Sequence, residues 1–269
     1  MRKTVAALLV AALGLNTYQV HTSNAQSVPD LQIAAKISDP LGTNIYPNKS
    51  LSEKKQMMEF LGNFPEEVQH FDIKSYKDDE LVRIAATNTT KYGIGPLKKL
   101  MKSIVVRPLT DQDGKTYDWP YYKIPKKDTE QYIQSLFGVT PKKVSKSYYE
   151  NGAYYFPSWE AGGGNEDSPQ IERMYAFGKG YYYVELTRYY IEAVNYDPKL
   201  WQSFGDFEHM PMEKWSKAIK DRIYVEKEGS WHAILKENVI NGKKTWRLVE
   251  YNKGTKLTKT QITKYISKL

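Results

Sequence analysis

The chain has 269 residues, no cysteine and a formal net charge of +8. It therefore forms no disulfide, has no cysteine nucleophile and offers no thiol to acylate, so packing alone must hold it together, which a chain of this length can manage. A modest basic excess bears on solubility first, and on attraction to anionic surfaces second.

Arg2 and Lys3 precede the apolar run Val5 to Leu15, and small residues follow at Ser23 and Ala25. This order is that of a secretory signal peptide cleaved after Ala25. The expected address is extracytoplasmic: secreted, periplasmic or at the cell surface. Removing residues 1–25, which carry Arg2 and Lys3 and no acid, leaves 244 residues and a charge of +6. No later stretch approaches the roughly 20 apolar residues of a spanning helix. With that address a nucleic-acid partner is not expected.

Residues 26–49 hold three prolines and no sustained periodicity, and read as an extended arm or linker. A helical portion follows over 50–101. Ser50 with Glu53 forms a capping box ahead of Leu51, Met57, Met58 and Leu61, and Gly62 is the stop. A second helix starts near Asp78 with Leu81, Ile84 and Ala85 on one face, and a short third follows Pro96.

From residue 102 the pattern is that of strands separated by turn pairs: "DQDGK", "ENGA", "GKG", "EGS" and "NGK". Glycine-containing pairs hold the positive φ that tight hairpins need. The strands expected are 102–109, 115–123, 143–150, 153–159, 171–178, 181–194, 217–227, 230–239 and 243–251, in an antiparallel meander. A helix over 126–138, capped by Asp128 and closed by Gly138, interrupts it. Segment 197–216 reads as a loop with short helical pieces. The C-terminal helix, 257–269, pairs Thr258 with Gln261 and sets Ile262, Tyr265, Ile266 and Leu269 against Lys256, Lys259, Lys264 and Lys268. A basic amphipathic face can attract an anionic surface weakly, but it is also how an ordinary helix covering a sheet looks. The fold class is α+β, a helical portion followed by a twisted antiparallel sheet with helices on one face, as in cystatin-like or NTF2-like architectures.

The chemistry of the common hydrolases has no signature. His70, His209 and His232 are the only histidines after residue 25, none at metal-binding spacing with another, and no Gly-x-Ser-x-Gly elbow occurs. His232 reads as a half-exposed strand residue and His70 as lying past a helix end. "EHMPM" at 208–212 reads as a loop with packing methionines in preference to a soft-metal site. The acidic loop "DQDGKTYD" fails as a calcium loop, because Pro120 stands where the bidentate glutamate belongs. No metal and no cofactor is expected.

Recognition and a purely structural envelope role are the classes left beside a hydrolase without a familiar signature. Residues 117–196 hold 15 of the 22 tyrosines. Successive strand residues alternate faces, so some of "GYYYVELTRYY" should lie outward. The stretch "NGAYYFPSWEAGGGNEDSPQIE" reads as a long connection between two strands. Its glycines allow close backbone approach and its acids contrast with a basic chain. The expected surface comprises Tyr154, Tyr155, Trp159, Glu160, Gly162, Gly163, Gly164, Glu166, Asp167, Tyr181 and Tyr183. Its expected partner is a protein or an envelope glycan. A glycan hydrolase using two of Glu160, Glu166, Asp167 and Glu172 is the alternative, with the carboxylate separation deciding its mechanism.

Overall fold

The computed structural model describes residues 39–64, 68–90, 96–110, 113–158, 165–194, 207–240 and 242–269, with 90, 165–167, 193 and 243 described by backbone alone. Residues 1–38, read above as a signal peptide and the start of an arm, and Trp159, Glu160 and Gly162 to Gly164 lie outside them.

Helix α1 (Leu51–Gly62) starts at the Ser50–Glu53 capping box, whose two reciprocal bonds are both made. Helix α2 is Asp78–Thr90, and a 3-10 turn runs Pro96–Leu100. Strands β2 (Ile104–Thr110), β3 (Thr116–Pro125), β4 (Tyr149–Glu150) and β5 (Ala153–Pro157) form a four-stranded sheet in the order β2-β3-β5-β4. Helix α3 (Lys126–Phe137) leaves β3 directly. The larger sheet is a meander of β6 (Asn165–Ala176), β7 (Tyr181–Ala193), β8 (Ile223–Ile240) and β9 (Lys243–Lys253), joined by β1 (His70–Asp72) against β9. Helices α4 (Lys217–Lys220) and α5 (Lys259–Ile266) complete the set. All pairings in both sheets are antiparallel.

The α+β class holds. Helices α1, α2 and α3 pack on the face bearing Val184, Ala233, Leu235 and Leu248, in one core that also takes Ile124 and Phe156 from the smaller sheet. The helical portion and the sheets therefore share one core, within a single unit. A further helix, α5, covers part of the opposite face, where Ile262 packs with Tyr175, Tyr183, Ile234 and Val249. The described half of the arm docks along the free edge of β6: Ile45 donates its N–H to the Met174 carbonyl at 2.9 Å, and Asn44 Oδ1 accepts from the Met174 N–H at 3.0 Å.

Four expectations change. "EGS" is a bulge, not a hairpin: Gly229 pairs with Arg188 and Lys227 with Tyr189, so Glu228 is extra and the strand runs on through it. Its positive φ of 154° serves the bulge. Segment 143–148 is not a strand. The Asp78 carboxylate accepts the backbone N–H groups of Lys142 and Lys143, and Asp79 that of Ser145, so side chains at the start of α2 take the donors a ladder would have used. Residues 217–220 form a helix capped by Ser216 instead of the start of a strand. Helix α3 begins at Lys126 after Pro125, with Asp128 inside its first turn and not at the cap.

Candidate functional site

The stretch quoted above joins the two sheets. Its first strand, β5, belongs to the four-stranded sheet, while β6 belongs to the five-stranded one and begins at Asn165. The backbone of Glu166 and Asp167 is thus already paired, with Ile191 and Tyr190.

The tyrosines expected outside are mostly inside. Tyr183 is fully buried under α5 and its hydroxyl accepts the Leu257 N–H at 2.9 Å. Tyr154 is buried against Tyr149, its hydroxyl donating to Glu130 at 3.3 Å. Tyr155 is buried on the other face of β5 with the Arg107 guanidinium 3.9 Å from its ring. Tyr181 is half-buried beneath Lys236. Strand alternation does send neighbours to opposite faces, but α5 and the turns around Trp215 cover the second face as well. Tyr154, Tyr155 and Tyr183 are thus buried where an exposed contact surface was expected. Glu172 accepts from Thr187 Oγ1 at 2.5 Å, and no second described carboxylate faces it within bonding distance.

One polar row does assemble: buried Glu185 and His232 stand in register with half-buried Asn252 and exposed His70 across β7, β8, β9 and β1. His232 is buried, not half-exposed, and His70 lies within β1. Asn252 Nδ2 donates to Glu250 Oε1 at 2.7 Å, and Lys256 pairs with Glu185 at 2.5 Å. This row fastens the segment before α5 to the sheet and lines neither of the grooves below, so substrate has no access to it there. Among the described residues no three such groups cluster as a metal site. In "EHMPM", Glu208 and His209 form their own pair at 3.4 Å, and Met210 and Met212 pack beneath the sheet.

The concave surface lies elsewhere, between α1, α3 and the closed end of the β8–β9 hairpin. Two grooves, of about 1030 and 710 Å³, share Pro96, Tyr132, Ser135 and Ile240. Helix α1 buries Met57, Met58, Phe60 and Leu61, which leaves Gln56, Glu59 and Asn63 as a stripe along the rim at spacings of three and four. Helix α3 buries Tyr132, Ile133, Leu136 and Phe137 and presents Asp128, Gln131 and Ser135 at the same spacing. The hairpin end is set by Gly242, at φ 75°, with Ile240 paired to Lys243.

Burial pushes the Tyr132 phenol up to about 12, and its hydroxyl donates to Asn63 Oδ1 at 2.9 Å. Lys244 pairs with Glu237 at 2.7 Å. That hydrogen bond holds Glu237 below the usual carboxylate range, and it keeps Lys244 above its ordinary value although burial pulls the other way. Tyr182 is raised by burial and by donating to Glu237 at 3.0 Å. In the second groove Arg247 lies against Gly138, which closes α3 in the left-handed conformation at φ 76°. None of the described residues expected on the recognition surface lines either groove, although His209 of "EHMPM" lines the first and Asp128 the second. The rim stripes were visible as helix faces, but which two helices flank which hairpin is not written locally. Protein-family models, curated proteins and solved structures, searched in turn, give no match to this chain.

Proposed function

We propose that this chain is an exported, non-catalytic binding protein that recognises a cell-envelope partner, a protein or a glycan, in the groove between α1, α3 and the β8–β9 hairpin. The observation that carries this reading is the groove's composition. Gln56, Asn63, Leu136 and Ile240 stand in it beside the largely buried Phe60, Tyr132 and Trp246, and Lys244 and His209 each face a nearby carboxylate. Such a lining orients and holds a ligand. Catalysis by acid and base would need two ionisable groups with free ends converging on one point. Export is supported by the order of residues in the first 25 positions.

A photo-reactive residue at Gln131, on the groove rim, tests this. It should cross-link to a component of the extracytoplasmic fraction, whereas the same group at the exposed Tyr224 of β8, outside the groove, should not. Equal labelling from both positions, or labelling from Tyr224 alone, contradicts the reading. The recovered protein should begin at Gln26.

A further inference from the structure

We infer that the groove's occupant is an extended peptide segment carrying aliphatic side chains and a carboxylate, with the carboxylate seated on Arg247. This rests on the binding reading above and names its ligand class.

The apolar surface on offer is aliphatic. At the hairpin end Val239 is 63% and Ile240 38% exposed, beside the exposed Pro96. The aromatic residues are spent internally. Trp246 is 7% exposed, meets Tyr182 edge-on at 5.2 Å and lies under the Lys244 ammonium at 5.2 Å, while Tyr132 is 4% exposed. Stacking on a sugar ring needs an open aromatic face, which these do not present; aliphatic side chains of a peptide need only an apolar wall.

The polar lining fits the same occupant. Gln131, Gln134 and Asn238 line the second groove, and each side-chain amide both donates and accepts. A peptide backbone offers one donor and one acceptor per residue, so amides match it without a fixed register.

The charge then selects. Arg247 has no acidic partner within ion-pair distance among the described residues, and its buried Nε has no hydrogen-bond partner; neither does the buried Nδ2 of Asn238. Lys99 adds a second cation, against the single acid Asp128. Contact with Gly138 fixes the Arg247 stem, so little freedom remains to be lost when the fork binds. A carboxylate supplies both the missing charge and a bidentate acceptor, which neutral sugar hydroxyls do not.

The test uses a displayed library of random dodecapeptides panned on the full-length mature protein. Enriched sequences are synthesised with free and with amidated C-termini and titrated calorimetrically into the wild type, Arg247→Gln, Lys99→Gln and Gln131→Trp, each first shown to melt as the wild type does. The tetramer of N-acetylglucosamine is the glycan probe. Enriched peptides should carry aliphatic residues and a carboxylate, bind roughly tenfold or more weakly to Arg247→Gln, and fail to bind Gln131→Trp. Lys99→Gln gives a smaller loss and a shallower salt dependence. Loss on amidation places the carboxylate at the C-terminus, and retention places it on Asp or Glu; both support the inference. Peptides that bind Arg247→Gln as they bind the wild type overturn it. Glycan binding blocked by Gln131→Trp, with no peptide enriched, overturns the peptide inference and leaves the groove as a binding site. Peptide and glycan binding both absent, or both indifferent to Gln131→Trp, removes the binding reading as well.

Discussion

Arg188, fully buried in the middle of β7, donates from Nη1 to the backbone carbonyl of Phe64 at 2.6 Å, just past the end of α1. The same nitrogen lies 2.6 Å from the Tyr251 hydroxyl. One guanidinium therefore anchors the helix that forms the groove's rim to two strands of the sheet. Orphan carbonyls at a helix end need such donors when they are buried. Arg188→Ala should destabilise the protein by about 3 kcal/mol or more in urea unfolding, because it removes the charged donor, leaves the Phe64 carbonyl only the longer bond from the Tyr251 hydroxyl at 3.3 Å, and opens a cavity beside Trp231. A loss under about 1 kcal/mol would show that water replaces the guanidinium freely.

Gly138 tests how closely α3 and Arg247 are fitted. A Cβ there would lie 2.7 Å from Arg247 Cδ, on a backbone at φ 76°. Gly138→Ala should cost about 1–2 kcal/mol from the left-handed conformation and the displaced stem together. Thermal unfolding reads the loss. Peptide titration should weaken in the same variant if Arg247 is where the carboxylate sits.

Tyr183→Phe separates the buried aromatic row from recognition. The change leaves the Leu257 N–H without its acceptor, and should cost about 1–2 kcal/mol, with faster hydrogen exchange through α5. Ligand affinity should not change. A variant of unchanged stability and altered binding would return this tyrosine to the contact surface.

The alkaline limb follows from burial. Tyr132 and Tyr175 are both raised to about 12, chiefly by burial, from an ordinary value of 10.0. The unfolded chain then loses these protons first, so their contribution to stability is whole below about pH 10 and is lost as pH rises toward 12. The urea midpoint should fall across that window. Tyr132→Phe should flatten the fall, and an unflattened curve would assign it to other groups.

What the sequence made legible was local. Ser50 with Glu53 and Thr258 with Gln261 marked helix starts because a cap is written in four adjacent residues. Asn151–Gly152 marked the β4–β5 hairpin because both residues take positive φ, at 49° and 76°. Gly229 misled for the same reason, since positive φ at one glycine serves a bulge as well as a turn. The groove was not legible. It depends on Asn63 meeting Tyr132 and on Ile240 standing near Pro96, contacts between residues far apart in the chain. Tyrosine density pointed to a surface, but alternation guarantees two faces without saying that either is wet.

Hydrogen–deuterium exchange of the protein, measured alone and with the enriched peptide at saturation, tests the placement of recognition most directly. Slowed exchange is expected in Gln56–Asn63 of α1, Gln131–Leu136 of α3 and Thr245–Arg247 of β9, with β5 and residues 181–183 unchanged. Protection confined to β5 and to residues 165–183, with the groove elements unaltered, would contradict it.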